Sequence, residues 1–425
     1  MRIAILGGGM AGLGAAYELS ESGHTVELFE KSTNLGGLAE SLTVGGHPIE
    51  QYYHHMFPTY HDFFEVADRL GFREKFWFKP ARTGIWYGGR VHAFSGPLDL
   101  LRFQPLTILE RIRTAAVLMY LKFNKSWVRF EDVGAADWLK RWFGYRAYEV
   151  LWEPLLTSKF GDEKDRVSMA WFWSRIYERP STFGYFEGGF QTFVQRLADF
   201  LTSKGVLIHT ASPAKGLFKT DAGYQFETPQ GTHTFDAVII AAPPAAFGHI
   251  AEAVLTATEK QRLSAYQYMG SICALMVLDR SLISEYWLNV NEPGSPFVAV
   301  VEHTNFAPKE YYGGRTIVYL SKYLDPVLPE YARSNEEIWS HWLPMVKKIN
   351  PAFQEHWIVE SYIFRAPATQ PVIPISYSKI LPHFKTSLPN LLWVSMSHIY
   401  PWDRGTDHSF HYGREAAREL LCGKP

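Results

Sequence analysis

The alternation of apolar and polar positions at the N-terminus predicts a strand, a helix and a second strand. Ile3 to Leu6 is a short, uninterrupted apolar run of the kind found in buried parallel strands. Glycines fill the tight turn from Gly7 to Gly12, and Leu13 to Ser22 has a helical pattern. From Thr25 to Phe29 the pattern alternates as a second strand. The segment is therefore predicted to be a βαβ unit.

The rest of the chain changes character twice. Residues 76–184 have a helical pattern, and six of the 14 tryptophans lie between Trp127 and Trp173. A helix from Gly188 to Leu201 then precedes short strands, predicted at 206–209, 217–218, 224–228 and 237–241. A second strand-rich segment has strands predicted at 272–278, 297–303, 316–320 and 358–364, with a helix at 335–349. The last predicted elements are a strand at 391–395, a polar turn and a helix at about 410–421.

Composition and charge exclude several classes of protein. Hydrophobic residues at 47% and charged residues at 20% are typical of a globular protein, and a net charge of -1 provides no positive field to hold nucleic acid. Cys273 and Cys422 are too few and too far apart for a disulfide framework or a metal site, which favours a reducing, cytoplasmic location. No secretory signal or membrane-spanning run is expected. The aromatic content of 16% indicates a large apolar cavity, an interface or a membrane-facing surface, with an ordinary aromatic core as the alternative.

A glycine fingerprint follows the first strand. Gly7, Gly9 and Gly12 fit the spacing G-x-G-x-x-G. In that motif the first glycine permits a tight turn, the second lets the backbone approach a pyrophosphate and the third lets helix and strand pack closely. Glu30, at the end of the second strand, can accept hydrogen bonds from both ribose hydroxyls and would repel a 2′-phosphate. The pattern predicts an adenosine dinucleotide other than NADP.

A second pair of glycines, Gly36 and Gly37, favours FAD over NAD, since both dinucleotides share the fingerprint. A further backbone loop beside the pyrophosphate site is useful to a longer ligand whose flavin half must pass it. The residues predicted to contact the cofactor here are Gly7, Gly9, Met10, Ala11, Gly12, Glu30, Lys31, Gly36, Gly37, Leu38 and Ala39.

The fingerprint, the glycine doublet after Glu30 and the closing turn and helix together resemble the flavin amine oxidase superfamily, which includes protoporphyrinogen oxidases and phytoene desaturases. The arginines that flank the doublet in many relatives are replaced by Leu35 and Leu38. The resemblance implies an α/β fold, in which a Rossmann-like FAD-binding domain is interleaved with a substrate domain containing a mixed sheet and a helical, Trp-rich part. The FAD-binding domain is predicted at 1–75, 185–265 and 372–425, and the substrate domain at 76–184 and 266–371.

The resemblance also implies further cofactor contacts. Residues 207–214 are similar to the strand that meets adenine, and 237–244 to a strand that ends near the cofactor. The segment 393–408 is similar to the final turn, whose helix directs amide donors at the flavin, although the usual Gly-Glu or Gly-Asp is absent. The contacts added are Ala214, Ala242, Trp402, Asp403, Arg404, Gly405, Thr406 and His408. FAD is expected to be non-covalent, because neither cysteine lies in a motif similar to an attachment site.

Two pairs of residues are candidates for proton transfer. In this topology His54 and His55 should leave the cofactor domain beside the flavin ring, where imidazoles are suited to accept protons. Successive side chains in an extended segment point to opposite sides, so one of the two histidines should point away from the ring. The alternative role for both is to form hydrogen bonds to backbone carbonyls at a domain junction. Glu302 and His303 end an apolar strand, for which a solvated strand end is the alternative. All four are predicted to contribute to one cavity.

Basic and amphipathic segments add two further expectations. Arg82 and Arg365 are candidates to bind an anionic group of the substrate, with an interdomain salt bridge as the alternative. The segment 102–123 carries one apolar face, for which core packing is expected, formed by Ile108, Ile112, Ala116 and Met119. In protoporphyrinogen oxidases and desaturases the equivalent region touches a membrane, so the resemblance implies peripheral membrane contact as the alternative.

Together these features favour an FAD-dependent oxidoreductase, namely an oxidase, dehydrogenase or desaturase that moves hydride from a largely apolar or aromatic small molecule to flavin N5. The tandem histidines also resemble the His-x-Phe-His segment of UDP-galactopyranose mutases, so a non-redox, flavin-dependent sugar-nucleotide mutase is the first alternative. A flavin-binding protein without catalysis is the second. The sequence leaves the substrate, the electron acceptor and the oligomeric state open.

Overall fold

The computed structural model of the protein describes residues 1–423, so the last two residues of the predicted segment 372–425 lie outside the described residues. Its strands, in chain order, are β1 Arg2–Leu6, β2 Thr25–Phe29, β3 Ser41–Val44, β4 His47–Glu50, β5 Phe76–Lys79, β6 Thr83–Tyr87, β7 Arg90–Ala93, β8 Phe183–Phe186, β9 Leu207–His209, β10 Lys215–Thr220, β11 Gly223–Thr228, β12 Gly231–Phe235, β13 Ala237–Ala241, β14 Tyr268–Leu278, β15 Trp287–Val290, β16 Ala299–Glu302, β17 Thr316–Leu324, β18 Ile358–Pro371 and β19 Leu391–Val394. Its helices are α1 Met10–Leu19, α2 Asp62–Arg69, α3 Pro97–Leu101, α4 Ile108–Phe123, α5 Val128–Glu131, α6 Ala135–Phe143, α7 Tyr145–Ala147, α8 Glu153–Phe160, α9 Met169–Glu178, α10 Gly189–Ser203, α11 Pro244–Ile250, α12 Ala257–Leu263, α13 Asn335–Ile349 and α14 Thr406–Cys422.

A parallel sheet with strand order β19-β13-β1-β2-β9 carries the glycine fingerprint. Its central strand β1 pairs with β2 and β13 in parallel register, with Leu6 opposite both Phe29 and Ile240. Parallel strands covered on both faces are continuously apolar, which is why the short runs of β1, β13 and β19 could be identified, whereas β2 is predicted from its alternation. All five strands come from the three segments predicted to form the FAD-binding domain, whereas the domain boundaries themselves stay a prediction.

A larger mixed sheet has the order β18-β14-β17-β16-β15-β6-β7, with β15 and β6 parallel and the other neighbours antiparallel. The helix α13 is held against it by a cluster in which Ile338, Trp342 and Val346 join apolar side chains of β14 and β17. A third group of elements, α4 to α9, buries Trp171 and Trp173. The mixed α/β architecture predicted from the sequence is therefore confirmed.

Element boundaries differ from the predictions where the partner strand decides the length. The helix predicted at 335–349 has those bounds, but β14 begins at Tyr268 and β18 continues to Pro371, because each offers the other a long antiparallel ladder. The strand predicted at 297–303 is shorter, since His303 begins a turn. The segment 76–184 contains three strands, β5 to β7, and the start of β8, none of which its helical pattern predicts. Short aromatic runs suit both buried strands and buried helices, so periodicity does not separate them.

The helix α4 is oriented opposite to the expectation. Ile108, Ile112 and Met119 are 69%, 54% and 60% exposed, whereas Val117 and Leu121, on another stripe, are buried in the helical core. The expected core packing of the first face is therefore wrong, because the helix has two apolar stripes and neighbouring α9 covers the second. None of the helices described in residues 1–423 combines the length and the apolar composition needed to cross a membrane.

Candidate functional site

Two glycine-rich loops meet where β1 ends. The amide of Gly36 donates to the Gly8 carbonyl at 2.9 Å, and Gly9 and Gly36 form an isolated parallel bridge. Gly36 and Gly37 both have positive φ angles, of 117° and 59°, which glycine adopts without strain. The doublet therefore forms a second backbone loop directly beside the fingerprint, as the sequence indicates.

The three glycines of the fingerprint differ in what the fold requires of them. A Cβ atom on Gly7 would lie 2.3 Å from the Ala241 carbonyl oxygen, and one on Gly12 would lie 1.8 Å from the Gly7 oxygen. Gly9 has an ordinary φ of -76°, and a Cβ there would meet only the Cα of Gly37, at 3.8 Å. The missing side chain of Gly9 leaves a cradle of open backbone, which is the shape that a pyrophosphate requires.

Glu30 closes the same loop. Its carboxylate accepts hydrogen bonds from the amides of Gly8, at 2.6 Å, and Ser32, at 2.8 Å. Its own carbonyl accepts from the amide of Ser212 at 2.8 Å, which holds the segment leading to Ala214 beside it. The carboxylate therefore lies at the junction of the two loops, where the fingerprint predicts the ribose.

The other contacts predicted in this region lie in the first turn of α1 or directly after β2, the doublet and β13. They are Met10, Ala11, Lys31, Leu38, Ala39 and Ala242. The Ala242 carbonyl accepts a hydrogen bond from the Trp393 indole at 2.8 Å, which ties the end of β13 to β19. The contact of these six residues with a cofactor remains a prediction.

The turn before α14 is held by side chains of the helical part. The Asp403 carboxylate accepts from the Trp171 indole at 2.9 Å and forms an ion pair with Arg175. His408 lies 3.1 Å from the Glu178 carboxylate. Trp402 stacks on the His408 ring, while Gly405 precedes the first turn of α14 and Thr406 is buried in it. The turn is thus the place where α9 docks onto the end of the parallel sheet.

His54 and His55 lie in an aromatic layer that includes Phe183, Phe190, Tyr286 and Trp287. His54 Nδ1 lies 2.6 Å from the Tyr52 carbonyl, which only accepts, so Nδ1 carries the proton and Nε2 keeps its lone pair. His55 Nδ1 lies 3.2 Å from the Tyr286 hydroxyl, and its ring lies 4.4 Å from that of Phe183. Burial lowers the pKa of His54 to about 4 and that of His55 to about 3, so both are neutral at pH 7.

Glu302 and His303 face different surroundings, as successive residues at a strand end do. His303 Nε2 lies 2.9 Å from the Tyr312 hydroxyl, and burial lowers the pKa of His303 to about 3. The Glu302 carboxylate accepts hydrogen bonds from the amides of Leu282 and Ile283, both at 2.8 Å, and from the Ser281 hydroxyl. Burial raises the pKa of Glu302. Both side chains are buried, so the alternative of a solvated strand end is wrong, and Glu302 secures the turn at 281–283.

A buried carboxyl group that sequence reasoning missed connects the histidines. Glu50, at the end of β4, accepts from the Phe190 amide at 2.7 Å and from the Tyr185 hydroxyl at 2.8 Å. The Tyr185 ring lies 4.7 Å from that of His303, and the Phe190 ring lies 5.2 Å from that of His54. Burial raises the pKa of Glu50 to about 7. Its signal in the sequence was slight, namely an acidic residue that ends a short strand.

Arg82 and Arg365 lie outside this layer. Arg82 is exposed just before β6, and its backbone carbonyl accepts from the Tyr286 amide. The guanidinium of Arg365 donates to the carbonyls of Tyr331 and Arg333 and to the Asn335 side chain. Arg365 therefore fixes the start of α13 to β18 through neutral acceptors.

A cluster of charged side chains that sequence reasoning did not assemble lies beside the turn before α14. We call it the cationic cluster, and its members are Lys159, Arg175, Tyr323, Asp403 and Arg404. Arg404 donates to the Tyr323 hydroxyl at 2.7 Å and to the Gln370 side-chain oxygen at 3.1 Å. Lys159 Nζ donates to the same oxygen at 3.2 Å and lies 4.5 Å from the centre of the Tyr323 ring. Nothing in the local sequence marks Lys159, which follows Thr157 and Ser158 in α8.

Comparison with known proteins identifies the family. The sequence profile of the flavin containing amine oxidoreductases matches residues 10–421, and the chain belongs to this family. A zeta-carotene desaturase of Synechocystis is 37% identical over 101 residues, which cover 23% of this chain and 20% of that protein. The mitochondrial protoporphyrinogen oxidase of Nicotiana tabacum is 26% identical over 187 residues, which cover 43% of this chain and 37% of that protein. The chain thus matches less than half the length of these two relatives.

Solved structures with the same fold cover the whole chain. A putative protoporphyrinogen oxidase from Exiguobacterium superposes with a TM-score of 0.80 at 19% identity, covering 100% of this chain and 99% of that one. A reduced UDP-galactopyranose mutase superposes with a TM-score of 0.78 at 18% identity, covering 99% of this chain and 94% of that one. At these identities the likeness shows the fold alone.

The residues at the parallel sheet fit the cofactor of this family. The open backbone at Gly9, the adjoining doublet and the Glu30 carboxylate fit the pyrophosphate and ribose of FAD in their hydrogen-bonding chemistry. The prediction that FAD is the cofactor is confirmed by the family. The individual contacts stay predictions.

Proposed function

We propose that the protein is an FAD-dependent oxidoreductase that removes hydride from a largely apolar, small organic substrate. When bound, FAD supplies a hydride acceptor at N5. The observation that carries the proposal is the aromatic layer around His55, whose rings belong to the same buried cluster as Leu35 and Ala39 beside the second glycine loop. Its rings lie 4.4 Å (Phe183), 5.9 Å (Trp287) and 6.2 Å (Tyr286) from the His55 ring. Aromatic side chains of this kind exclude water and line most sites that bind apolar molecules.

The histidines of this layer would act as neutral groups. Because His54 holds its Nδ1 proton on the Tyr52 carbonyl, its Nε2 lone pair can accept a proton from the substrate or from a water molecule. His55 and His303 each contact a tyrosine hydroxyl, and these hydrogen bonds orient both rings. Glu302, occupied by three donors, would have a structural role.

Anaerobic mixing of the purified flavoprotein with candidate substrates tests the reaction class. Bleaching of the flavin absorption by a substrate, followed by recovery with oxygen or a quinone, is the expected result. Activity on a sugar nucleotide only after dithionite reduction would instead identify a mutase. If no class of substrate changes the flavin absorption or is converted, the protein binds flavin without catalysis. His54→Ala with unchanged FAD content should slow the bleaching by about 10²-fold, the usual size of a lost acid-base group.

We further propose a cytoplasmic location with peripheral membrane contact through α4. Five large apolar side chains on one side of this helix are 54% to 80% exposed, namely Ile108, Leu109, Ile112, Met119 and Phe123. Contiguous exposed apolar surface of this kind is typical of sites that bind a membrane or another protein. An apolar substrate also resides in membranes, so this contact would bring the enzyme to it.

A further inference from the structure

The cationic cluster holds more positive charge than its own residues neutralise. Lys159, Arg175 and Arg404 carry three positive charges, and Asp403 is the single carboxylate among them. Asp403 is already occupied by Arg175 and by the Trp171 indole. Lys159 is only 8% exposed. One carboxylate shared among three cations leaves excess positive charge at Lys159 and Arg404, and a buried charge is costly unless it is paired.

A neutral amide oxygen occupies the position between these two cations. Gln370 Oε1 accepts from Lys159 Nζ at 3.2 Å and from Arg404 Nε at 3.1 Å. Its amide nitrogen donates to the Pro371 carbonyl, which fixes the oxygen toward the cations. The structure shows hydrogen bonds for two of the five donors of Arg404. Donors therefore remain on both cations for a second, charged acceptor.

We propose that the cationic cluster binds one anionic group of the substrate, a carboxylate or a phosphate, through Lys159 and Arg404. The inference rests on the proposed function, because the turn that carries Arg404 leads into α14, the helix expected to face the flavin. It also relocates the site for an anionic group, which the sequence placed at Arg82 and Arg365. Charge-assisted hydrogen bonds from a lysine and a guanidinium are the usual means of holding either anion.

The protonation states of the cluster support anion binding at neutral pH. Burial lowers the pKa of Lys159 to about 8, so it is mostly charged at pH 7. Burial on its own would raise the pKa of Tyr323, but the positive charges of Arg404 and Lys159 bring it down to about 8. Two other groups that face Lys159 and Tyr323 do not titrate nearby, since Arg175, Lys159 and Arg404 hold the pKa of Asp403 low and burial raises the pKa of Tyr53 well above its usual value. Above pH 8 the lysine becomes neutral and the tyrosine becomes an anion, so both changes weaken anion binding.

Three probes with a common ring system test the proposal on the holoenzyme. These are 2-naphthoate, 2-naphthyl phosphate and the neutral 2-naphthalenemethanol, with dissociation constants measured by calorimetry and by the change in flavin absorption. At least one anionic probe should bind about tenfold or more tightly than the alcohol, the expected effect of hydrogen bonds to a charged group. The preferred anion identifies a carboxylate or a phosphate as the natural group. The preference should decline as the pH rises from 7 to 9.

Matched variants locate the effect. Lys159→Met should bring the preference for the anion to within about threefold, while Lys219→Met, which removes an exposed lysine from β10, should not change it. Gln370→Glu supplies an internal carboxylate between the two cations. It should abolish the preference and raise the melting temperature, so the test does not depend on whether Lys159→Met folds.

The proposal is overturned if neither anion binds, if the alcohol binds equally well, or if the preference survives in both Lys159→Met and Gln370→Glu. A changed flavin reduction potential in these variants, with an unchanged preference, would assign the cluster to the cofactor and overturn it as well. A retained preference in an enzyme whose flavin no substrate bleaches would refute the proposed function and leave the binding site standing.

Discussion

At the scale of single residues, the fold tolerates a side chain at Gly9, whereas the predicted cofactor site does not. Its backbone is extended at φ -76° and its surroundings are open, so Gly9→Val should fold but fill the pyrophosphate cradle. We expect a colourless protein with native circular dichroism that takes up no FAD. Gly12→Val is the contrasting variant, because its side chain would collide with the Gly7 carbonyl and prevent folding. Yellow, FAD-loaded Gly9→Val protein would contradict the assignment of the cradle.

Glu50 gives the stability of the protein a pH dependence of defined sign. Its pKa is raised from 4.5 to about 7 by burial, so the folded protein binds a proton that the unfolded chain has released. The stabilisation from this bound proton is fully present below pH 4.5 and is lost as the pH rises from 4.5 through about 7. The total loss in the free energy of unfolding is about 3 kcal/mol. The stability of Glu50→Gln should not fall over this pH range, whereas that of Glu310→Gln, a change at an exposed residue, should fall as in the wild type. Urea denaturation at pH 5 and pH 8 measures both, and identical pH slopes for wild type and Glu50→Gln would refute the shift.

At the scale of elements, the exposed stripe of α4 predicts binding to lipid. The protein should sediment with phosphatidylglycerol vesicles, and Ile112→Glu combined with Met119→Glu should weaken this at least about tenfold, because two apolar side chains no longer enter the bilayer. Val327→Glu is the matched control, since Val327 is 83% exposed but lies between β17 and α13. A wild-type protein that stays in the supernatant would exclude membrane contact and leave a protein partner for this stripe.

The same helix shows where sequence reasoning ends. The β1-α1-β2 unit and the strands β13 and β19 could be predicted because a parallel strand buried on both faces is recognisable from its own residues. The stripe of α4 that is covered depends on α9, and β5 pairs with the distant strand β8, so local pattern does not reveal either feature. The hairpin of β6 and β7 is local, and its Gly88-Gly89 turn was a signal that sequence reasoning missed. The cationic cluster is a harder case of the same kind. Lys159, Tyr323, Gln370 and Arg404 come from four segments, and each is ordinary until the fold brings them together.

At the scale of the whole molecule, the predicted FAD contacts come from segments near residues 7–39, 214, 242 and 402–408. A ligand that joins such distant segments stabilises the whole fold, by about 2.7 kcal/mol at a hundredfold excess over its dissociation constant. Apoprotein should therefore melt at a lower temperature than holoprotein, and added FAD should restore the difference. Equal melting temperatures of the two forms would contradict a site built across these segments.

The attachment of that FAD can also be predicted from the positions of the cysteines. Cys422 ends the 17-residue helix α14, about 24 Å along the axis from the end that is expected to face the flavin. Cys273 is buried, and burial raises the pKa of its thiol to about 12, so it is not a nucleophile at neutral pH. Denaturation in acid should consequently release all of the flavin into the supernatant, measured by its absorption. A fluorescent protein band after denaturing electrophoresis would show a covalent bond, and loss of that band in Cys273→Ala or Cys422→Ala would identify the cysteine that forms it.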